Sequence, residues 1–137
     1  MLKYYLSPSG LSFFEYTRLC HEFTAFGWQL TWSWPSKFFD LDQKPNSDLS
    51  TQAVKAIGDA ELFIAFLPGR FNTHFEIGLA YAWANEIVLA APHIDYLNDY
   101  NAYVSHHVFL PGIVNFICEP LELPQKLKDY YLYLVAN

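Results

Sequence analysis

The chain has 137 residues, the size of one domain, and at 53% hydrophobic and 19% aromatic it can build a substantial core. Its formal charge is −6 with 8 Lys and Arg residues, which argues against a nucleic-acid polymer as partner, because displacing counterions needs a basic face. No apolar run approaches the roughly 18 residues of a bilayer span, so no membrane partner is expected.

Leu2 to Leu6 is a short apolar run that meets the turn Ser7-Pro8-Ser9-Gly10 and reads as a first strand. It is too short for a signal-peptide core. Cys20 and Cys118 sit among apolar neighbours with no metal-ligand spacing, which points to free thiols and a cytoplasmic setting. Ser12-Phe13-Phe14-Glu15 has the pattern of a capping box. Tyr16, Leu19, Cys20, Phe23 and Phe26 follow at helical spacing, and Gly27 stands where a C-terminal cap belongs. Trp28, Leu30, Trp32 and Trp34 alternate with polar residues, a period of two that predicts a second strand ending at Pro35.

Residues 35–47 form a polar loop longer than the usual connection of about 2–6 residues, as lids and ligand-contact loops often are. A second helix is expected with Asp48 or Ser50 as its cap and Gly58 at its end. Residues 61–67 are continuously apolar after Glu61, the mark of a central parallel strand. The turn Pro68 to Asn72 leads into a predicted helix from Thr73 to Asn85, then a strand from Glu86 to Ala91. A long irregular stretch from Pro92 to Gly112 follows, with a short helix near Tyr103, then a fifth strand from Ile113 to Cys118 and a last helix from Pro124 to Val135. Five alternations imply a single α/β domain over 1–137, a flavodoxin-like (Rossmann-like) three-layer fold with a mostly parallel five-stranded sheet in the order 2-1-3-4-5.

In such a sheet ligands bind beyond the carboxyl ends of the strands, where the strand order reverses. That point lies between the first and third strands. Ser7, Ser9 and Gly10 meet it from one side, and Gly69, Phe71 and Asn72 from the other. Glu76 falls in the first turn of the next helix and Tyr5 closes the first strand on the same edge. Thr73-x-x-Glu76 is also a capping box in pattern, so a purely structural role for Glu76 stays open. Gly78, Ala80, Ala82 and Ala84 read as small residues for close packing. Asp40-x-Asp42 and His93-x-Asp95 lack a third ligand at a recognised spacing, and neighbours such as His106-His107 point apart, so neither metal nor cofactor is expected.

Residues 58–69 (GDAELFIAFLPG), 73–82 (THFEIGLAYA) and 3–6 (KYYL) together resemble the nucleoside 2-deoxyribosyltransferases and the related deoxynucleoside-monophosphate N-glycosidases. The strand pattern is shared throughout, while these specific motifs cover about a third of the chain. The resemblance implies cleavage of an N-glycosidic bond through a covalent glycosyl ester, with Glu76 as nucleophile and Tyr5 orienting it. Water would then give hydrolysis and a second base would give transfer. Ser9, Gly10 and Asn72 would hold sugar or phosphate oxygens, with Phe71 and Phe75 as an apolar wall favouring a deoxy sugar. It also implies a small-molecule nucleoside or nucleotide partner and a homodimer or larger assembly, with Asn101 and Ser105 of the 92–112 stretch reaching a neighbour's ligand. One element of the pattern departs. Family members carry an Asp at the start of the helix before the 62–67 strand, and that position falls on Thr51. Asp48 lies about one turn earlier, and Asp40 and Asp42 are further substitutes. A relative that lacked its general acid would be a non-catalytic nucleotide-binding or sensing module of the same fold.

Overall fold

A computed structural model describes residues 2–39, 46–69, 71–83, 85–93 and 112–136; for Phe71 and residues 132–136 it describes the backbone. The described elements run β1 (Lys3–Leu6), α1 (Phe13–Ala25), β2 (Gln29–Leu30), α2 (Ser47–Asp59), β3 (Leu62–Phe66), α3 (Phe71–Ala82), β4 (Glu86–Ala91), β5 (Ile113–Ile117) and α4 (Leu123–Ala136). The five strands form one sheet in the predicted order β2-β1-β3-β4-β5, and every pairing is parallel. Tyr5 is level with Phe63, and Leu62 with Glu86. Helices α1 and α4 touch on one face, α2 and α3 on the other, giving three layers. Residues Leu62 to Phe66 are all buried, as a strand covered on both faces requires.

Local chemistry accounts for most boundaries. The capping box of α1 is present in both arms: Ser12 Oγ accepts from Glu15 N at 3.1 Å and Glu15 Oε1 accepts from Ser12 N at 3.0 Å. At its other end Gly27 takes φ +85°, Gly27 N donates to Thr24 O and Trp28 N to Phe23 O. This is the paired closure that glycine permits after a last helical turn. The cap of α2 is Asn46, whose Oδ1 accepts from Leu49 N at 2.9 Å, in place of the expected Asp48 or Ser50. Gly58 lies inside α2 instead of ending it; the Trp83 ring packs where its Cβ would stand, 3.1 Å away. The helix closes one residue later, and Asn85 donates from Nδ2 to Ile57 O and Ala60 O at 3.0 and 2.6 Å.

Three further expectations shift. Regular pairing of the second strand stops at Leu30, although the alternation persists in burial, with Trp34 buried and Gln29 and Ser33 exposed. Leaving the sheet there lets the chain cross above the end of β1, and a short 3-10 turn follows at Ser36–Phe39. Helix α3 begins at Phe71, two residues before Thr73. Gly69 explains the early start: a Cβ on it would stand 2.5 Å from Thr73 Cβ, so the turn fits under the helix with glycine alone. Gly78 is exposed with nothing within 4 Å of where a Cβ would be, so its packing role is not found; Ala80 is buried but Ala82 is exposed. The short helix expected near Tyr103 and Ala84 lie outside the described residues.

Candidate active site

Period two along β1 sends its adjacent tyrosines to opposite faces. Tyr4 enters the α1 layer, edge-on to Phe23 at 5.3 Å, with its hydroxyl donating to Cys20 O at 3.3 Å. Tyr5 and Ser7 face the other layer, toward α3. Tyr5 stacks on Phe63 at 5.7 Å and is fully buried. The loop after β1 is held to the top of β3 by Ser7 N donating to Ile64 O at 2.9 Å. Gly10, at φ +83°, lets that loop turn close against Pro68 O.

Glu76 projects into this crevice from α3 and is 6% exposed. It stands in the second turn, since α3 starts at Phe71, so Thr73 lies inside the helix and the pair cannot form a capping box. The structural account of Glu76 open in the sequence therefore fails. Burial pushes its carboxyl up to about 7, and the hydroxyls of Tyr5 and Ser7 beside it pull the other way without cancelling that cost. Burial, and then the Glu76 carboxylate, hold the Tyr5 hydroxyl well above its ordinary range, so it stays a proton donor. Glu76 Oε2 and Ser7 Oγ are buried, and neither closes a hydrogen bond of full geometry among the described residues. An orphaned buried carboxylate oxygen is costly and calls for an explanation.

Glu76 lines a small cavity of about 120 Å³ that opens to solvent. Ser9, Asn72 and Ser50 supply its other polar groups. Trp34, Phe38 and Phe75 supply aromatic faces, and Ala53, Val54 and Ile57 an apolar floor from α2. The described lining holds one carboxylate and no cation.

No protein-family model and no curated protein sequence matches the chain. Solved structures do. The CMP N-glycosidase BcmB of Clostridium botulinum superposes with a TM-score of 0.65 at 22% identity, covering 93% of this chain and 98% of that one. A conserved protein from Enterococcus faecalis V583 gives 0.60 at 15% identity, covering 95% and 99%. The chain has the fold of BcmB.

On this BcmB-like fold the predicted residues separate. Glu76, Tyr5, Ser7, Ser9 and Asn72 come together at the crevice, with Gly10 shaping its loop. Asp48 does not join them: it is exposed on the first turn of α2, and Ser50 lines the cavity from that helix instead. Thr51 is exposed too, its Oγ1 donating to Ser47 O at 2.8 Å. Gly69 is buried beneath Thr73 and does not line the cavity. Phe75 is at the mouth and 61% exposed. Asp40, Asn101, Ser105, His106 and the Phe71 side chain lie outside the described residues. Among the described residues no three His, Cys, Asp or Glu are grouped to hold a metal, and no helix is long and apolar enough to cross a membrane.

Sequence reasoning missed Trp34 as a site residue. It is buried, lines the cavity, packs on Phe38 at 4.3 Å, and its indole Nε1 donates to the Tyr5 hydroxyl oxygen at 2.9 Å. The signal available was its place at the end of an aromatic stripe entering a Pro-bounded loop.

Proposed function

We propose that the chain cleaves the N-glycosidic bond of a nucleoside or nucleotide, with Glu76 as nucleophile. The observation that carries this reading is a buried carboxylate at the switch point, beside the Tyr5 and Ser7 hydroxyls and without a second acid among the described residues that line its cavity. An Oε2 atom with no hydrogen-bond partner is free to attack the anomeric carbon. The bond from that carbon to the base breaks with its electron pair going to the base, which takes up a proton from solvent, and an ester forms on Glu76. Water then opens the ester, releases the sugar and restores the carboxylate; a second base in place of water makes the reaction a transfer. Ser9 and Asn72 meet sugar or phosphate oxygens, and the Phe38 and Phe75 faces meet the base. The motif resemblance to the deoxyribosyltransferases and the likeness of fold to a CMP N-glycosidase support the same bond.

The test is a panel of ribo- and deoxyribonucleosides and their 5′-monophosphates, CMP included, with released base read by chromatography. Release from at least one member, accelerated or diverted by a second base if the enzyme is a transferase, is the expected outcome. Binding without release across the panel would leave a nucleotide-binding module. Assembly as a homodimer belongs to the same proposal, and sedimentation at micromolar concentration decides it.

A further inference from the structure

The Trp34 indole donates to the hydroxyl oxygen of Tyr5 at 2.9 Å, and both side chains are buried. An indole N–H can only donate. The Tyr5 oxygen must therefore accept on that side, which leaves its own proton to turn toward the Glu76 carboxyl beside it. Trp34 is itself fixed from behind: past the end of β2 pairing its backbone N–H has no strand partner, and it donates to Tyr16 Oη of α1 at 3.0 Å. Its ring is held against Phe38 and Trp32, at 4.3 and 4.8 Å.

We propose that Trp34 is a positioning residue that keeps Tyr5 a donor toward Glu76 and so favours the charged form of the carboxylate against its burial. This rests on the assigned role of Glu76 only for its meaning in catalysis. The hydrogen bonds that join Trp34 to Tyr16 and to Tyr5, and the seat of Tyr5 beside Glu76, are independent of any substrate. Donation into the Tyr5 oxygen also polarises its O–H toward the carboxylate, because consecutive hydrogen bonds strengthen one another.

The groups facing Glu76 allow a clean reading. From β1 and its loop these are Tyr5 and Ser7; from α2, Ser50, Ala53, Val54 and Ile57, none of which titrates; from the segment after β2, Trp34, with Tyr16 behind it; the nearest titratable group on its own helix, His74, is half-buried, held below its ordinary range by burial, and does not line the cavity. Neither Lys nor Arg lines this face among the described residues.

The experiment is a carboxyl-carbon NMR titration of protein labelled at glutamate, with Glu76→Gln identifying the Glu76 signal. It compares the parent, Trp34→Phe and a chain with benzothienylalanine at 34, which replaces the indole N–H by sulfur and keeps the ring shape. The titration midpoint of Glu76 should rise in both, by at least half a pH unit or about threefold in proton affinity. In a Tyr5→Phe background neither replacement should move it further, since the path to the carboxylate is gone. If Trp34→Phe fails to fold, the benzothienyl chain decides the question alone. An unchanged or lowered midpoint in a folded variant, or an equal shift in the Tyr5→Phe background, would overturn the assignment. No substrate enters the measurement. A chain that cleaves nothing in the nucleotide panel can still show the shift, and a Glu76-dependent enzyme can still lack it.

Discussion

Two helices of this molecule carry nearly the same words near their starts, Ser12-Phe13-Phe14-Glu15 and Thr73-His74-Phe75-Glu76, and put them to opposite uses. In α1 the pattern sits at the helix end, in contact with solvent, and both arms of the box close. In α3 the helix has already begun at Phe71, so the same spacing lies inside it and the glutamate turns inward to Tyr5 and Ser7. What separates them is the glycine two residues before α3. Gly69 tucks under Thr73, where any Cβ would collide, and the chain enters α3 two residues sooner than the motif suggests. A short polar pattern reports what its side chains can bond to; the backbone around it decides which bond is made.

The largest contrast between the two glutamates should be catalytic. Glu76→Gln keeps shape and removes the charge needed for attack on an anomeric carbon, so turnover should fall by a factor on the order of 10⁴ to 10⁶, the scale seen when a nucleophile is removed. Glu15→Gln leaves the crevice untouched and retains a side chain able to close the box, so turnover should stay within about twofold. The peptide containing Glu76 should also gain the mass of the sugar when the parent is mixed with a 2-fluoro sugar analogue that slows ester breakdown. Base release in the Gln variant at the parent's rate would remove Glu76 from the mechanism.

Much of this was legible in the sequence. Periods of 2 and 3.6 residues marked the strands and helices, the unbroken apolar run after Glu61 marked the central strand, and the alternation of types implied the order 2-1-3-4-5 that the sheet adopts. Tyr5 and Glu76 were legible as neighbours at one crevice because the order of strands brings their elements together there. Asp48 failed as a site candidate because two positions along a helix turn a side chain by about 200°: Ser50 lines the cavity and Asp48 faces solvent. Trp34 was hidden for a different reason. Its partner, Tyr5, is 29 residues away, and nothing local distinguishes an indole that donates to a site tyrosine from one that fills a core.

The second contrast is in stability against pH. Glu76 has a folded-state value of about 7 against an ordinary 4.5. A group raised in this way contributes stability that is fully present below about pH 4.5 and is lost as the pH rises through about 7. The parent should therefore weaken relative to Glu76→Gln across that window, by up to about 3 kcal/mol above pH 7.5. Urea unfolding of both proteins at pH 5 and pH 8 measures it. A Gln variant no more stable than its parent at pH 8 would mean that the carboxylate is better solvated than its burial implies. The same charge needed for attack would then carry no folding cost, against the usual opposition of activity and stability at such sites.

The smallest effect, and the one that isolates the box itself, belongs to α1. Ser12→Ala removes the acceptor for Glu15 N, and the loss of an N-cap side chain costs about 1 kcal/mol in typical helices. Ser12→Gly should cost only a few tenths, because glycine lets water reach the freed amide. Glu15→Ala opens the other arm, leaving Ser12 N to solvent, and should also cost a few tenths. The two arms share one turn, so Ser12→Ala and Glu15→Ala together should cost less than the sum of their single effects: once either arm opens, the turn frays and the other holds less. All three differences should be the same at pH 6 and pH 8, since the box bonds Ser12 and Glu15 to each other and not to Glu76, and its amides do not titrate. Urea midpoints at the two pH values separate the outcomes. A cap effect that changed with pH in step with Glu76 would show that the start of α1 and the floor of the crevice move together. Full additivity of the two arms would reduce the box to two independent solvent-exposed hydrogen bonds.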